Sequence, residues 1–295
     1  MKKLFLLLFI VAVLSACNSK KSSDKNIGNA ITVSIVPEKT FVEKIAGDDF
    51  KINVLVPPGT TPEAGNLLPS QLKDIANSNV WFRIGHIGFE YSWKDKIGQA
   101  NPKMKVVDLS EGLDLIAEGD SHEGKQSIES GIDPHIWLSP ELVKQMAKKI
   151  YNELVLLRPE RTIQYKVNYL QFVKEIDKLN IDIFNKLRPY KGQNIIVFHP
   201  SLSYFARDYG LVQWALESEG KEPAPQYMAK IVEMAKAENI KVIYIQSEFN
   251  NENARVFAEE TGGKVIQIRP LDPAWADNLR EITNIIVDNF NGSFN

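Results

Sequence analysis

The chain of 295 residues contains four histidines, His86, His122, His135 and His199, and their positions relative to apolar runs carry most of the chemical information. His199 directly follows the apolar run Ile195-Ile196-Val197-Phe198, and His86 follows a run ending at Ile84. In open α/β sheets ligands bind outside the carboxyl ends of strands, which is where both would lie. Glu63 closes the Pro/Gly loop that begins at Pro57, after another such run, while Glu248 and Asp272 follow two runs near the C-terminus. His135 sits in Gly131-Ile132-Asp133-Pro134-His135-Ile136-Trp137-Leu138, a loop that leads into Ser139-Pro140, and binding residues favour loops held by rigid elements. Taken singly, a histidine beside a strand is more often a hydrogen-bonded structural residue than a ligand. Taken together, imidazole nitrogens and carboxylate oxygens from two halves of the chain could close around one transition-metal ion.

The elements that would bring them together are legible as a rhythm. Apolar runs at 31–37, 50–57, 79–85 and 103–109 form one set, and runs at 193–198, 211–216, 240–245 and 264–268 form a second, with amphipathic stretches between them. A parallel neighbour needs a crossover and a helix supplies it, so the pattern predicts two α/β domains, each with a roughly four-stranded, mostly parallel sheet. Ser139 as N-cap and Pro140 at the first position predict a helix toward Leu157. A longer helix is expected from Pro159 to Leu187, its apolar positions Ile163, Val167, Leu170, Val173, Ile176, Leu179, Ile183 and Leu187 spaced three or four apart, with Pro189 ending it. At about 1.5 Å per residue it would run roughly 40 Å, the height of two stacked domains, and would resist a wide hinge motion. The expected organisation is 30–157 for the first α/β domain, 158–190 for a connecting helix and 191–295 for the second domain, with the site in the cleft.

The N-terminus is of another kind. Lys2 and Lys3 precede an apolar run from Leu4 to Leu14 that closes in Leu14-Ser15-Ala16-Cys17. That is an export signal; about 20 apolar residues would be needed to span a bilayer. Cys17 is the only cysteine, so no disulfide can form within one molecule. The Leu-Ser-Ala-Cys run resembles a bacterial lipobox, in which Cys17 is acylated after residues 1–17 serve as signal peptide and lipobox. Residues 18–29, rich in Lys, Ser, Asn and Asp, read as a flexible tether. A formal net charge of −2, from 35 basic and 37 acidic residues interspersed along the chain, advertises no surface for nucleic acid.

Longer segments go further. Asp133-Pro134-His135-Ile136-Trp137-Leu138-Ser139-Pro140 and Phe198-His199-Pro200-Ser201-Leu202-Ser203-Tyr204-Phe205, followed by Tyr209-Gly210, resemble the histidine-bearing segments of the zinc- and manganese-binding solute-binding lipoproteins of bacterial metal ABC importers. The likeness runs from the lipobox to the C-terminus. It implies two four-stranded domains bridged by a long helix, and His135 and His199 as metal ligands. Pro58-Gly59-Thr60-Thr61-Pro62-Glu63 matches the loop whose residue after the proline is usually histidine, so Glu63 takes that place. Carboxylate oxygen is a good zinc ligand and a better one for manganese. The acidic residue after the last strand that is a fourth ligand in relatives falls in register on Arg269, which cannot bind a metal. Asp272, His86 or water is therefore expected to complete the shell, unless Asp272 only caps the following helix and Arg269 pairs with an acid near the site. His122, with Glu118, Asp120 and Glu123, lies where zinc-specific relatives carry a histidine-rich loop.

The resemblance also implies the role of an exported, membrane-anchored receptor, acting as a monomer, that captures Zn2+ (alternatively Mn2+) and delivers it to a membrane permease. No G-x-x-x-x-G-K-[ST] occurs in the chain, so the ATPase would be a separate protein. Two other classes compete. A metal-dependent hydrolase would need an open position activating water, and neither H-E-x-x-H nor G-x-S-x-G is present. A surface adhesin lipoprotein could use the same scaffold without transport.

Overall fold

The computed structural model describes residues 29–63, 65–117, 131–217, 224–248 and 252–292; Cys17 and His122 lie outside them. Among the described residues, eight strands form two separate sheets. The first comprises β1 (Ala30–Val33), β2 (Lys51–Val54), β3 (Ser78–Arg83) and β4 (Lys105–Asp108); the second comprises β5 (Asn194–Val197), β6 (Val212–Ala215), β7 (Val242–Gln246) and β8 (Lys264–Ile268). Their orders, β2-β1-β3-β4 and β6-β5-β7-β8, are the same topology used twice, and every pairing is parallel. Sequence composition follows the layering: β1 and β7 are buried along their whole length, whereas the edge strands β4 and β8 carry exposed residues.

The crossovers in the first half are α1 (Val36–Ala46), α2 (Pro69–Ile75) and α3 (Gly88–Ala100). The second half uses α6 (Ser203–Tyr209), α7 (Pro225–Ala237) and α8 (Glu252–Thr261). Between the halves run α4 (Pro140–Leu157) and α5 (Thr162–Leu187), and the chain ends in α9 (Trp275–Phe290). α4 begins as expected, with Ser139 Oγ accepting the Leu142 amide at 3.2 Å.

The 26 residues of α5 form the long connector, about 39 Å at the usual rise. Two expectations about it are corrected. Residues Pro159–Arg161 form a 3-10 turn, so the α-helix starts at Thr162. Its buried face in the first half carries Tyr165 and Phe172, while Ile163, Val167 and Leu170 point outward, with Ile163 82% exposed. The reason is competition between two stripes: large aromatics bury more area than isoleucine, valine or leucine, and Tyr165 gains a hydrogen bond to Asp49 at 2.8 Å. From Ile176 through Leu179, Ile183 and Leu187 the expected stripe is the buried one.

The halves are cemented as well as connected. Trp275, at the start of α9, packs edge-on against Phe41 of α1 with ring centroids 5.2 Å apart, and its Nε1 donates to the Trp137 carbonyl at 2.7 Å. Trp137 Nε1 donates in turn to the Pro270 carbonyl at 2.9 Å, and the Ser139 hydroxyl donates to Asp208 of α6. The loop carrying His135 is thus pinned to the second half although it follows the first in sequence.

Among the described residues of the first half, the carboxylates of Glu38 and Glu90 are fully buried. Glu38 accepts the amides of Ser34 and Ile35; Glu90 accepts the Ser34 hydroxyl and the amides of Ile84 and Gly85, tying α3 to the ends of β1 and β3. Burial, against its hydrogen bonds, pushes Glu90 up to about 7. Between its unfolded value of about 4.5 and about 7 the folded state therefore binds the extra proton, and the Glu90 contribution to stability falls as pH rises. In metal-free protein, Glu90→Gln is expected to flatten the decline of melting temperature across that window relative to wild type; parallel wild-type and variant profiles would contradict this.

Candidate metal centre

Glu63, His135 and His199 reach one point from three elements. Glu63 ends the loop after β2, His135 opens the 3-10 turn Ile136–Leu138, and His199 lies two residues beyond β5. The two imidazole Nε2 atoms are 3.3 Å apart, and Glu63 Oε1 lies 3.6 Å from His199 Nε2 and 3.9 Å from His135 Nε2. Donors about 2.0–2.1 Å from a tetrahedral zinc stand about 3.3–3.4 Å from one another, so the three are close to coordination spacing. Both imidazoles are buried, while the Glu63 side chain is 31% exposed and lies at the open side.

Each imidazole is oriented by a buried carboxylate on its other nitrogen. Asp133 Oδ1 lies 2.8 Å from His135 Nδ1 and also accepts the His135 amide at 2.8 Å. Glu217 Oε2 lies 3.1 Å from His199 Nδ1. A carboxylate can only accept, so each Nδ1 carries the hydrogen, and in the neutral rings both Nε2 lone pairs face each other. Two lone pairs and a carboxylate oxygen at this spacing can share one cation, a metal ion or a proton. His199 shows the same preference: burial works against its charged form, but Glu217, Glu63 and Asp133 outweigh it and hold the imidazole above the usual histidine range. Asp133 is likewise opposed by burial yet kept below the usual carboxylate range by His135 and by a hydrogen bond from Ser203.

The support for Glu63 comes from α3. Phe89 N donates to the Pro62 carbonyl at 2.9 Å, and a Cβ on Gly88 would stand 2.6 Å from the Glu63 carbonyl oxygen, so only glycine admits this approach. The Trp93 indole donates to the Gly65 carbonyl at 3.0 Å. The loop is held at both ends by the helix that Glu90 ties to the sheet.

The other expected candidates lie elsewhere. His86 Nδ1 is 2.9 Å from the Tyr91 hydroxyl on the surface, and His86 is not part of the three-residue group. Asp272 accepts the Ala274 amide at 2.8 Å just before α9, with Arg269 Nε 3.4 Å from its other oxygen. Arg269 also pairs with Glu281 at 2.6 Å. These partners account for both residues locally, as a loop tether and a helix entry. Glu248, after β7, keeps one buried oxygen without a hydrogen-bond partner among the described residues. Sequence reading assigned no role to Asp133 or Glu217. The signals were present: Asp133 precedes His135 by two residues, and Glu217 stands two residues past β6 as His199 stands two past β5, adjacent in register.

Two repeated α/β sheets and a long connecting helix frame a mixed imidazole–carboxylate group suited to a metal ion. Comparison with known proteins narrows this. The family model described as zinc-uptake complex component A, periplasmic (ZnuA), matches residues 31–289, and the chain belongs to that family. A putative metal-binding protein of Chlamydia trachomatis serovar D is 30% identical over 96% of this chain and 98% of its own length. The high-affinity zinc uptake system protein ZnuA of Bacillus subtilis strain 168 is 25% identical over 90% of this chain and 88% of its own. A crystal structure of ZnuA superposes with a TM-score of 0.81 at 36% identity, covering 88% of this chain and 98% of that one. The family is one of solute-binding receptors for zinc import, not of enzymes. A prokaryotic membrane lipoprotein lipid attachment site matches residues 1–18, so the protein is an exported lipoprotein anchored at the membrane.

Because the carboxylates fix which nitrogen faces the centre, Asp133→Ala and Glu217→Ala are each expected to weaken zinc binding by about 10–100-fold while leaving the fold intact by circular dichroism. Unchanged affinity in a competition titration would remove them from the site.

Proposed function

We propose that Glu63, His135 and His199 together hold the imported ion, that the ion is Zn2+, and that the loaded protein passes it to a membrane permease driven by a separate cytoplasmic ATPase. The observation that carries this reading is the convergence of His135 Nε2, His199 Nε2 and Glu63 Oε1 within 3.3–3.9 Å of one another. Two nitrogens and one oxygen suit zinc, whereas manganese favours oxygen-rich, six-coordinate surroundings. Water completes the coordination of the bound ion. His86 and Asp272 do not take part. Acylation of Cys17 supplies the anchor, and the receptor works as a monomer.

Competition titration of zinc and manganese into demetallated protein tests the ligand set. One tight zinc site is expected, lost in His135→Ala and in His199→Ala by more than the roughly 10–100-fold typical of a supporting residue. Tight manganese with weak zinc would overturn the choice of ion. Acid should act in the same direction as these variants, because the metal needs a neutral imidazole. With His199 held above its usual range, apparent zinc affinity is expected to start falling on acidification already above about pH 6.5. A profile flat from about pH 8 to 5 would sink the histidine assignment. For the anchor, Cys17→Ser is expected to move the protein from the membrane fraction to the soluble extracytoplasmic fraction; retention on the membrane would exclude Cys17 as the attachment point.

A further inference from the structure

We propose that Thr61 is a specificity-determining residue: its hydroxyl withholds one oxygen of Glu63 from the ion and thereby favours zinc over manganese. The inference rests on the reading that Glu63, His135 and His199 hold the metal.

Glu63 has two oxygens with different surroundings. Oε1 faces the imidazoles, 3.6 and 3.9 Å from their Nε2 atoms. Oε2 accepts a hydrogen bond from the Thr61 hydroxyl, and Thr61 Oγ1 accepts the Glu63 amide at 3.1 Å in return. The two bonds form a closed local clasp in which the hydroxyl proton is committed to Oε2 and the hydroxyl oxygen to the backbone. The backbone beneath the clasp has no slack, because Pro62 is bonded to Phe89 and the Glu63 carbonyl rests on Gly88. The carboxylate therefore cannot swing to present both oxygens unless the Thr61 bond is broken.

Coordination chemistry turns this into selectivity. Zinc is content with four donors, one of them a single carboxylate oxygen; manganese is favoured by each added oxygen and by a higher coordination number. Both ions meet the same two imidazoles, so Glu63 is where a change in donor number can arise without rebuilding the site. With the hydroxyl in place the protein offers three donor atoms, and without it the same carboxylate can chelate and offer four.

The test is a titration of the full chain, demetallated and held in detergent, with Zn2+ and separately with Mn2+, for wild type, Thr61→Val, Thr61→Ser, Glu63→Gln and the Thr61→Val/Glu63→Gln pair. Thr61→Val removes the hydroxyl and is expected to lower the zinc-to-manganese affinity ratio by about tenfold, the scale of an outer hydrogen bond to a ligand. Thr61→Ser, which keeps the hydroxyl, should retain the wild-type ratio. In the Glu63→Gln background Thr61→Val should leave the ratio unmoved, since the effect passes through that carboxylate. Equal weakening of both ions in Thr61→Val, or no change in the ratio, would overturn the inference and leave the ligand set standing. Unaltered zinc affinity in Glu63→Gln would overturn the ligand set itself, and the role of Thr61 with it.

Discussion

Everything at the centre depends on two desolvated carboxylate–imidazole pairs, Asp133 with His135 and Glu217 with His199. An imidazole left to itself rotates and exchanges tautomers; a buried carboxylate on Nδ1 removes both freedoms and leaves Nε2 as the only outward donor. Burying four ionisable groups so close together is costly, and the cost is offset by their mutual pairing. The sheets serve this arrangement. His199 and Glu217 stand side by side because β5 and β6 are parallel neighbours in register, and His135 reaches them because its loop is fastened to the second half through Tyr204, Asp208 and Pro270.

The first half contributes differently. Its ligand candidate, Glu63, sits in an exposed loop and owes its position to α3, which approaches so closely that residue 88 must lack a side chain. α3 in turn is fixed by Glu90, buried among the strand ends. A chain of local constraints thus runs from the core of one sheet to the rim of the cleft, while the histidines are held within a single cemented body. The family to which the chain belongs provides the context of zinc uptake; the asymmetry between a fixed imidazole pair and a clasped carboxylate belongs to these residues.

Much of this was legible in the sequence for physical reasons. Parallel strands between helices announce themselves as apolar runs at regular spacing, and the Ser139-Pro140 start of α4 follows from capping chemistry. The outward turn of Ile163, Val167 and Leu170 was not legible, because two helical stripes compete and only packing against α1 and α4 decides between them. Glu63, His135 and His199 were visible through their places after strands and in motif-bearing loops. Asp133 and Glu217 were harder to assign, since a carboxylate gains its role from the ring it faces, and that pairing spans 18 residues for His199. His86 and Asp272 show the converse: a plausible position near a strand end does not fix where a side chain points, and nearby Tyr91, Ala274 and Arg269 satisfy them first.

The tryptophan-centred cement between the halves bears on how the ion leaves. Trp275, whose indole donates to the Trp137 carbonyl, is also seated against Phe41 of α1 while α5 spans the junction, so the two sheets cannot part like a clamshell without exposing aromatic surface. Loaded and empty forms should therefore share nearly one outline. A receiving protein that must tell a full receptor from a spent one would then have to read the rim of the cleft, where the loop bearing the half-buried Glu63 lies, instead of sensing a gross change of shape.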